Sequence, residues 1–168
     1  MNSGRYVVMG VSGCGKTSIG MAFAANIGAA FIDGDDLHPA SNVAKMARGE
    51  PLDDADRMPW LAAVAAAFAQ AEGPLVIGCS ALKRVYRDQI RQGAGRAVSF
   101  LHLSGSRDVI AKRMSSRAGH FMPLSLLDSQ FAALEMPGAD ESAVIVDIDQ
   151  TEAQIVAELQ LRTKGLGI

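Results

Sequence analysis

Cysteine is scarce in this 168-residue chain: only Cys14 and Cys79 occur, which argues against a disulfide framework and leaves neither a zinc-type spacing nor a redox pair. An excess of positive charge is also missing. Sixteen Lys and Arg against 18 Asp and Glu give a net charge of −2, so no global basic field points to nucleic acid as a partner. The longest strongly apolar stretch, residues 61–69, is far too short to span a bilayer, and no membrane partner is expected. Repeats, low-complexity tracts and long linkers are absent as well. The first apolar run begins at residue 6, which leaves no room for a cleavable signal and predicts a cytoplasmic protein.

What is present is ordinary in bulk and specific in detail. An apolar content of 49% with 20% charged residues suits one compact domain over residues 1–168. Within it, Gly10-Val11-Ser12-Gly13-Cys14-Gly15-Lys16-Thr17 matches Gly, four residues, Gly-Lys-Ser/Thr, and follows the apolar run Tyr6-Val7-Val8-Met9. That is a phosphate-binding loop between a strand and a helix. Glycines let the backbone turn its N–H groups onto phosphates, and the helix that follows adds the positive end of its dipole. Gly10, Ser12, Gly13, Cys14, Gly15, Lys16, Thr17 and Ser18 are therefore the expected nucleotide-binding residues. Lys16 reaches the β- and γ-phosphates, and Thr17 offers a hydroxyl to magnesium. No Asn-Lys-x-Asp string is present to read guanine, which favours adenine. The loop alone implies a nucleoside triphosphate and names no acceptor.

Short apolar runs at 6–9, 30–32, 75–78, 98–103 and 143–146 read as buried strands. Helical patterns alternate with them, at about 16–26, 39–48, 58–71, 83–92, 107–116, 125–134 and 152–164. Strand-helix alternation predicts an α/β fold with a parallel sheet of about five strands and helices on both faces. Gly28 and Gly49 suit helix ends, Pro39 suits a first helical turn, and Asp149 with Glu152 has the spacing of a capping box. Ligands in such sheets sit beyond the carboxyl ends of strands, so the loops after Met9, Ile32, Gly78 and Leu103 are where chemistry is expected.

The loop after the second strand reads Asp33-Gly34-Asp35-Asp36-Leu37-His38-Pro39. An isolated cluster of this kind is often only a solvated turn that caps a helix. Beside a phosphate loop the acids acquire a use, because transfer to an alcohol needs a carboxylate to orient the hydroxyl and take its proton. Asp33 and Asp35 project to the same side of an extended segment, two residues apart. Asp35 is expected as the base and Asp33 as an outer partner of magnesium, with Asp36 on the far face. Further on, Arg57 precedes a helix expected to start near Pro59 and is the best-placed cation for an anionic acceptor. Trp60 reads as packing. After the third strand, Ser80, Lys83 and Arg87 form a second wall for an oxygen-rich anion, with Lys83 and Arg87 four residues apart on one helical face.

These strings, together with Lys45-Met46, Pro51-Leu52, Asp56-Arg57, Pro59-Trp60-Leu61, Tyr86-Arg87-Asp88, Gly119-His120-Phe121-Met122, Gln130-Phe131 and Leu134-Glu135, resemble the gluconate kinase family of small P-loop sugar-acid kinases. The resemblance covers almost the whole chain. It implies a P-loop nucleoside-triphosphate hydrolase-like three-layer fold of shikimate- or adenylate-kinase type, with substrate-binding helices over about 38–72 and a mobile lid over about 113–124. It also implies ATP-dependent phosphorylation of D-gluconate at its 6-hydroxyl, giving 6-phosphogluconate for central carbohydrate metabolism, with ATP and magnesium and as a homodimer. Arg113 and Arg117, on one face of the helix leading into the lid, become candidates for nucleotide contact and for stabilising the moving phosphoryl group. His38 and His120 become substrate contacts, and His102 stays structural. The adenine pocket is expected by analogy near residues 147–150. Alternative readings are a kinase for another small acceptor, such as shikimate or a related aldonate, and a non-catalytic nucleotide switch, which would need no acceptor pocket.

Overall fold

A computed structural model of the chain describes residues 4–115 and 124–166. Five strands alternate with helices. In chain order these are β1 (Arg5–Met9), α1 (Lys16–Ile27), β2 (Ala30–Asp33), α2 (Ala40–Ala47), α3 (Asp54–Gln70), β3 (Leu75–Gly78), α4 (Arg84–Ala94), β4 (Ser99–Ser104), α5 (Arg107–Ser115), α6 (Leu124–Ala133), β5 (Ala143–Asp147) and α7 (Glu152–Thr163). Short 3-10 turns at Gly34–Leu37 and Lys164–Leu166 complete the pattern. The sheet has the order β2-β3-β1-β4-β5, and all pairings are parallel. Loops leaving β1, β2 and β3 therefore emerge at one end of the sheet, as open α/β sheets require of a ligand site.

Side chains alternate across the sheet and divide the core in two. Tyr6, Val8, Val76 and Leu101 join Ile19 and Phe23 of α1 and Ile155 and Leu159 of α7 on one face. Val7, Met9, Ile77 and Phe100 join Leu61, Val64 and Phe68 of α3 and Ile90 of α4 on the other. With both faces covered, the central strands are mostly apolar rather than alternating, with Arg5, Ser99 and His102 as buried exceptions, which is why they read as near-continuous runs. β2 is an edge strand, with Ala30 exposed and its other residues half-buried.

Helix ends follow local chemistry. Gly28 closes α1 at a positive φ of 70°, as its position predicts. α3 begins a turn earlier than the expected start near Pro59, because Asp53 accepts from Asp56 N–H while the Asp56 carboxylate accepts from Asp53 N–H, a reciprocal box that sets the first turn. Pro59 therefore lies inside α3. Its far end is held by Arg5, whose guanidinium donates to the carbonyls of Phe68 and Ala71, both at 3.0 Å. The box predicted from Asp149 and Glu152 does not form; Thr151 and Gln154 make it instead, two residues later. Glu152 is thereby free to accept from Ser18 of α1 at 2.8 Å.

Candidate active site

The phosphate loop joins β1 to α1 in the expected setting. Gly10, Gly13 and Gly15 all have positive φ, and a Cβ at Gly10 would lie 2.7 Å from Cys14 Sγ and 3.0 Å from the Leu103 carbonyl. No other residue fits there without moving the loop. Lys16 folds back along the loop and donates to the carbonyls of Gly10 (3.0 Å) and Val11 (3.1 Å), so its ammonium is held at the loop mouth. Thr17 Oγ1 donates to Asp33 Oδ2 at 3.5 Å. A hydroxyl and a carboxylate meeting at the end of the loop are hard oxygen donors of the kind magnesium takes, so the residues present fit that ion.

Three of the expected nucleotide residues are used differently from their motif roles. The Cys14 side chain is fully buried against the core and desolvation raises its pKa, so the residue can present only its backbone to a phosphate. Ser18 commits its hydroxyl to Glu152. Gly10 N–H also points away from a phosphate, donating to the Ser80 carbonyl at 3.2 Å and joining the donor loop to the loop after β3.

The acidic loop after β2 is fixed by close contact with its neighbours. A Cβ at Gly34 would sit 2.3 Å from the Gly78 carbonyl, so only glycine lets the ends of β2 and β3 approach this closely. Trp60 is buried and donates from Nε1 to the Gly34 carbonyl at 2.8 Å, so its packing role also pins this loop. Asp33 caps the 3-10 turn by accepting from Asp35 N–H at 3.0 Å. Asp35 is exposed, yet desolvation and the neighbouring Asp33 carboxylate raise its pKa, while Lys16 and His38 pull it down. A carboxylate made more basic beside a phosphate-binding lysine suits proton abstraction.

His38 stacks on Trp60, with ring centroids 4.3 Å apart and planes inclined by 13°. Asn42 Nδ2 donates to the Asp56 carbonyl at 2.8 Å and lies 3.2 Å from His38 Nδ1. An amide nitrogen can only donate, so Nδ1 accepts and the Nε2–H of the neutral ring is left as a donor. Desolvation lowers the His38 pKa, which agrees with a neutral ring.

Across from these acids, Arg57 and Lys83 converge on Tyr86, at 5.6 Å and 5.7 Å from its ring centroid. Asp54 links all three: it accepts from Tyr86 Oη at 2.5 Å and lies 3.5 Å from Arg57 and 3.9 Å from Lys83. Its bond with Tyr86 lowers the Asp54 pKa first, and the two cations add to it. Burial and the same bond push the Tyr86 hydroxyl up to about 12. Asp54 carries no motif signal, and Tyr86 enters only within the family-like string Tyr86-Arg87-Asp88, with no role assigned to it; a salt-bridge partner three residues before Arg57 and a ring three residues after Lys83 were the available clues.

Arg87 does not join this wall. Helical spacing places it near Lys83, but Lys83 precedes the first turn of α4 and Arg87 turns inward, where it is fully buried. It donates to Glu141 Oε1 (2.8 Å) and Oε2 (3.2 Å) and to the carbonyls of Ala81 (2.9 Å) and Leu82 (3.2 Å). With those donors engaged it braces the loop instead of facing a substrate. Ala81 needs such support, since it holds a φ of 45° without being glycine. His102 is buried with Nδ1 unpaired, and desolvation followed by the Arg87 charge drops its pKa to about 4; it is a neutral core residue.

Arg113 lies against the segment after β5, donating to the carbonyls of Ile148 and Gln150, the latter at 3.1 Å. Its helix is thus fastened to the region expected to hold adenine. Arg117 and His120 lie outside the described residues. A groove of about 570 Å³ at Gly28, Ala30, Ala67 and Pro74 opens at the amino-terminal end of β2 and β3, away from these loops.

A strand-loop-helix phosphate cradle facing an acidic loop and a cationic wall defines a P-loop phosphotransferase with a small-molecule acceptor. The AAA domain family matches residues 6–137. The thermoresistant gluconokinase of Escherichia coli (strain K12) is 48% identical over 95% of this chain and 94% of its own length. A crystal structure of a gluconokinase from Sinorhizobium meliloti 1021 superposes with a TM-score of 0.85 at 46% identity, over 97% of this chain and 98% of that one. The chain belongs to the gluconokinase family. Shikimate kinase from Aquifex aeolicus, 12% identical with a TM-score of 0.65 over 98% of this chain and 99% of that one, shares the fold.

Proposed function

We propose that this protein transfers the γ-phosphoryl group of ATP to the 6-hydroxyl of D-gluconate, giving 6-phosphogluconate and ADP. The observation that carries the reading is Asp35 beside Lys16, with His38 feeling both Asp35 and Arg57, and with Arg57 in the first turn of α3 meeting Lys83, just before α4, at Tyr86. The chemistry divides between the two sides. Backbone amides of Gly13 and of 15–17, with the Lys16 ammonium, hold the triphosphate and neutralise charge on its terminal oxygens, the Ser12 amide being taken by Gln130. Thr17 and Asp33 would hold magnesium, which when bound screens the phosphate charge. Asp35 orients the acceptor hydroxyl and takes its proton as the oxygen attacks phosphorus. Arg57 and Lys83 fix the carboxylate at the other end of the acceptor, while His38 Nε2–H and Ser80 Oγ offer bonds to its hydroxyls.

Residues 38–72 carry the acceptor side of a single kinase domain in this reading. A cytoplasmic location is supported by two buried free cysteines. No helix among the described residues is long and apolar enough to cross a membrane. A homodimer rests on family resemblance. The test is a steady-state assay with magnesium-ATP against gluconate, other aldonates, shikimate and AMP. Gluconate should give the highest kcat/KM; turnover with another acceptor and none with gluconate would overturn the assignment.

A further inference from the structure

Helix α6 and the residues just after it bond to the phosphate loop and to the loop that carries Lys83. Gln130 grips Ser12 of the phosphate loop at two points: its Oε1 accepts from Ser12 N–H at 2.6 Å, and its Nε2 donates to Ser12 Oγ at 2.9 Å. Just beyond the helix, Glu135 N–H donates to the Leu82 carbonyl at 2.8 Å, and Glu135 Oε1 accepts from Arg84 N–H at 2.7 Å. Leu82 and Arg84 flank Lys83, and Arg84 N–H belongs to the first turn of α4, where amides have no partner within the helix. The helix itself is anchored. Leu127 is fully buried, Leu134 packs against both halves of the core, and Asp128 accepts two bonds from Arg107.

The pairing at Ser12 is chemically complete, because a primary amide supplies one acceptor and one donor to a residue that presents an N–H and a hydroxyl. Phosphoryl transfer depends on the separation and alignment of donor and acceptor, and a glycine-rich loop does not hold its own shape. We propose that Gln130 and Glu135 are positioning residues that register the phosphate loop against the Lys83 loop, Gln130 acting through Ser12 and Glu135 through Leu82 and Arg84. This rests on the kinase reading above. It assigns each residue to one substrate: Gln130 to the nucleotide and Glu135 to the acceptor.

The experiment compares Gln130→Met, which keeps the volume and loses both bonds, with Glu135→Leu and Glu135→Gln. Affinity for a non-hydrolysable ATP analogue is measured by calorimetry, both KM values by steady-state assay and folding by thermal unfolding. Gln130→Met should weaken analogue binding and raise the KM for ATP by ~3- to 10-fold, with the KM for gluconate within about 2-fold of wild type. Glu135→Leu should do the reverse. Glu135→Gln, which keeps an acceptor for Arg84 N–H, should restore the gluconate KM. If a Gln130 variant proves unstable, Ser12→Ala removes only the hydroxyl bond and should give a smaller change in the same direction. Unchanged analogue affinity in Gln130→Met, or both KM values rising together in either variant, would overturn the proposal. Analogue binding needs no acceptor, so a wild-type enzyme inactive on gluconate would contradict the acceptor assignment and leave the Gln130 result to decide this one.

Discussion

At the scale of single residues, the proposed reading gives Asp54 and Arg57 together the acceptor end of the site. Asp54 already sits between Arg57, Lys83 and Tyr86, so an incoming carboxylate meets cations that are oriented but partly neutralised. Arg57 can offer it two parallel donors, which a lysine cannot. Replacing Arg57 by Ala should therefore raise the KM for gluconate by ~10-fold or more with a much smaller change in kcat. An unchanged KM in steady-state kinetics would shift the carboxylate contact to Lys83. The places of Lys16, Asp33 and Asp35 were legible in the sequence because motif spacing and strand ends fix where such side chains emerge, whereas Arg57 was read as preceding a helix and lies inside the first turn of α3. Asp54 and Tyr86 were not, since their bond joins positions 32 residues apart and depends on how α3 packs against α4. Arg87 misled for a related reason. Helical spacing says that it neighbours Lys83, but not that its side turns toward the core.

At the scale of elements, α4 and the loop before it depend on that buried arginine. Arg87 and Glu141 are both almost completely buried, and Arg91 adds a bond to Glu141 at 2.6 Å. Replacing Arg87 by Met leaves the Glu141 carboxylate in the interior with only part of its compensation, and frees the carbonyls of Ala81 and Leu82. The expected cost is about 3 kcal/mol of folding stability, read as a lower midpoint in urea unfolding. A midpoint within error of wild type would show that Arg91 and the Gly138 N–H suffice for Glu141. Element boundaries were legible wherever a local signal acts, as Gly28 does at the end of α1. They were misread where two signals compete: Pro59 suggested a start for α3 that the Asp53–Asp56 box overrides.

At the scale of the whole molecule, strand-helix alternation announced a parallel sheet, whereas the order β2-β3-β1-β4-β5 follows from which faces pack and is not written in any one segment. That order brings the loops after β1, β2 and β3 together. The same packing ties stability to acid. Burial alone would raise the Glu141 pKa, but its bonds to Arg87 and Arg91 hold it at about 2, below the ordinary value of 4.5. A depressed carboxylate pKa contributes stability above the unfolded value and loses it as pH falls toward the folded one, so thermal stability should drop between about pH 4.5 and 2. A Glu141→Gln variant should show a shallower acid dependence, and an unaltered slope would remove Glu141 as its source. The fold's main consequence remains the placement of a basic carboxylate opposite the phosphate loop. Its most direct test is Asp35→Asn, which keeps the shape and removes the base, assayed for kcat with saturating magnesium-ATP and gluconate. A base at this position predicts a fall of ~100-fold or more with nucleotide affinity preserved; turnover near the wild-type rate would contradict it.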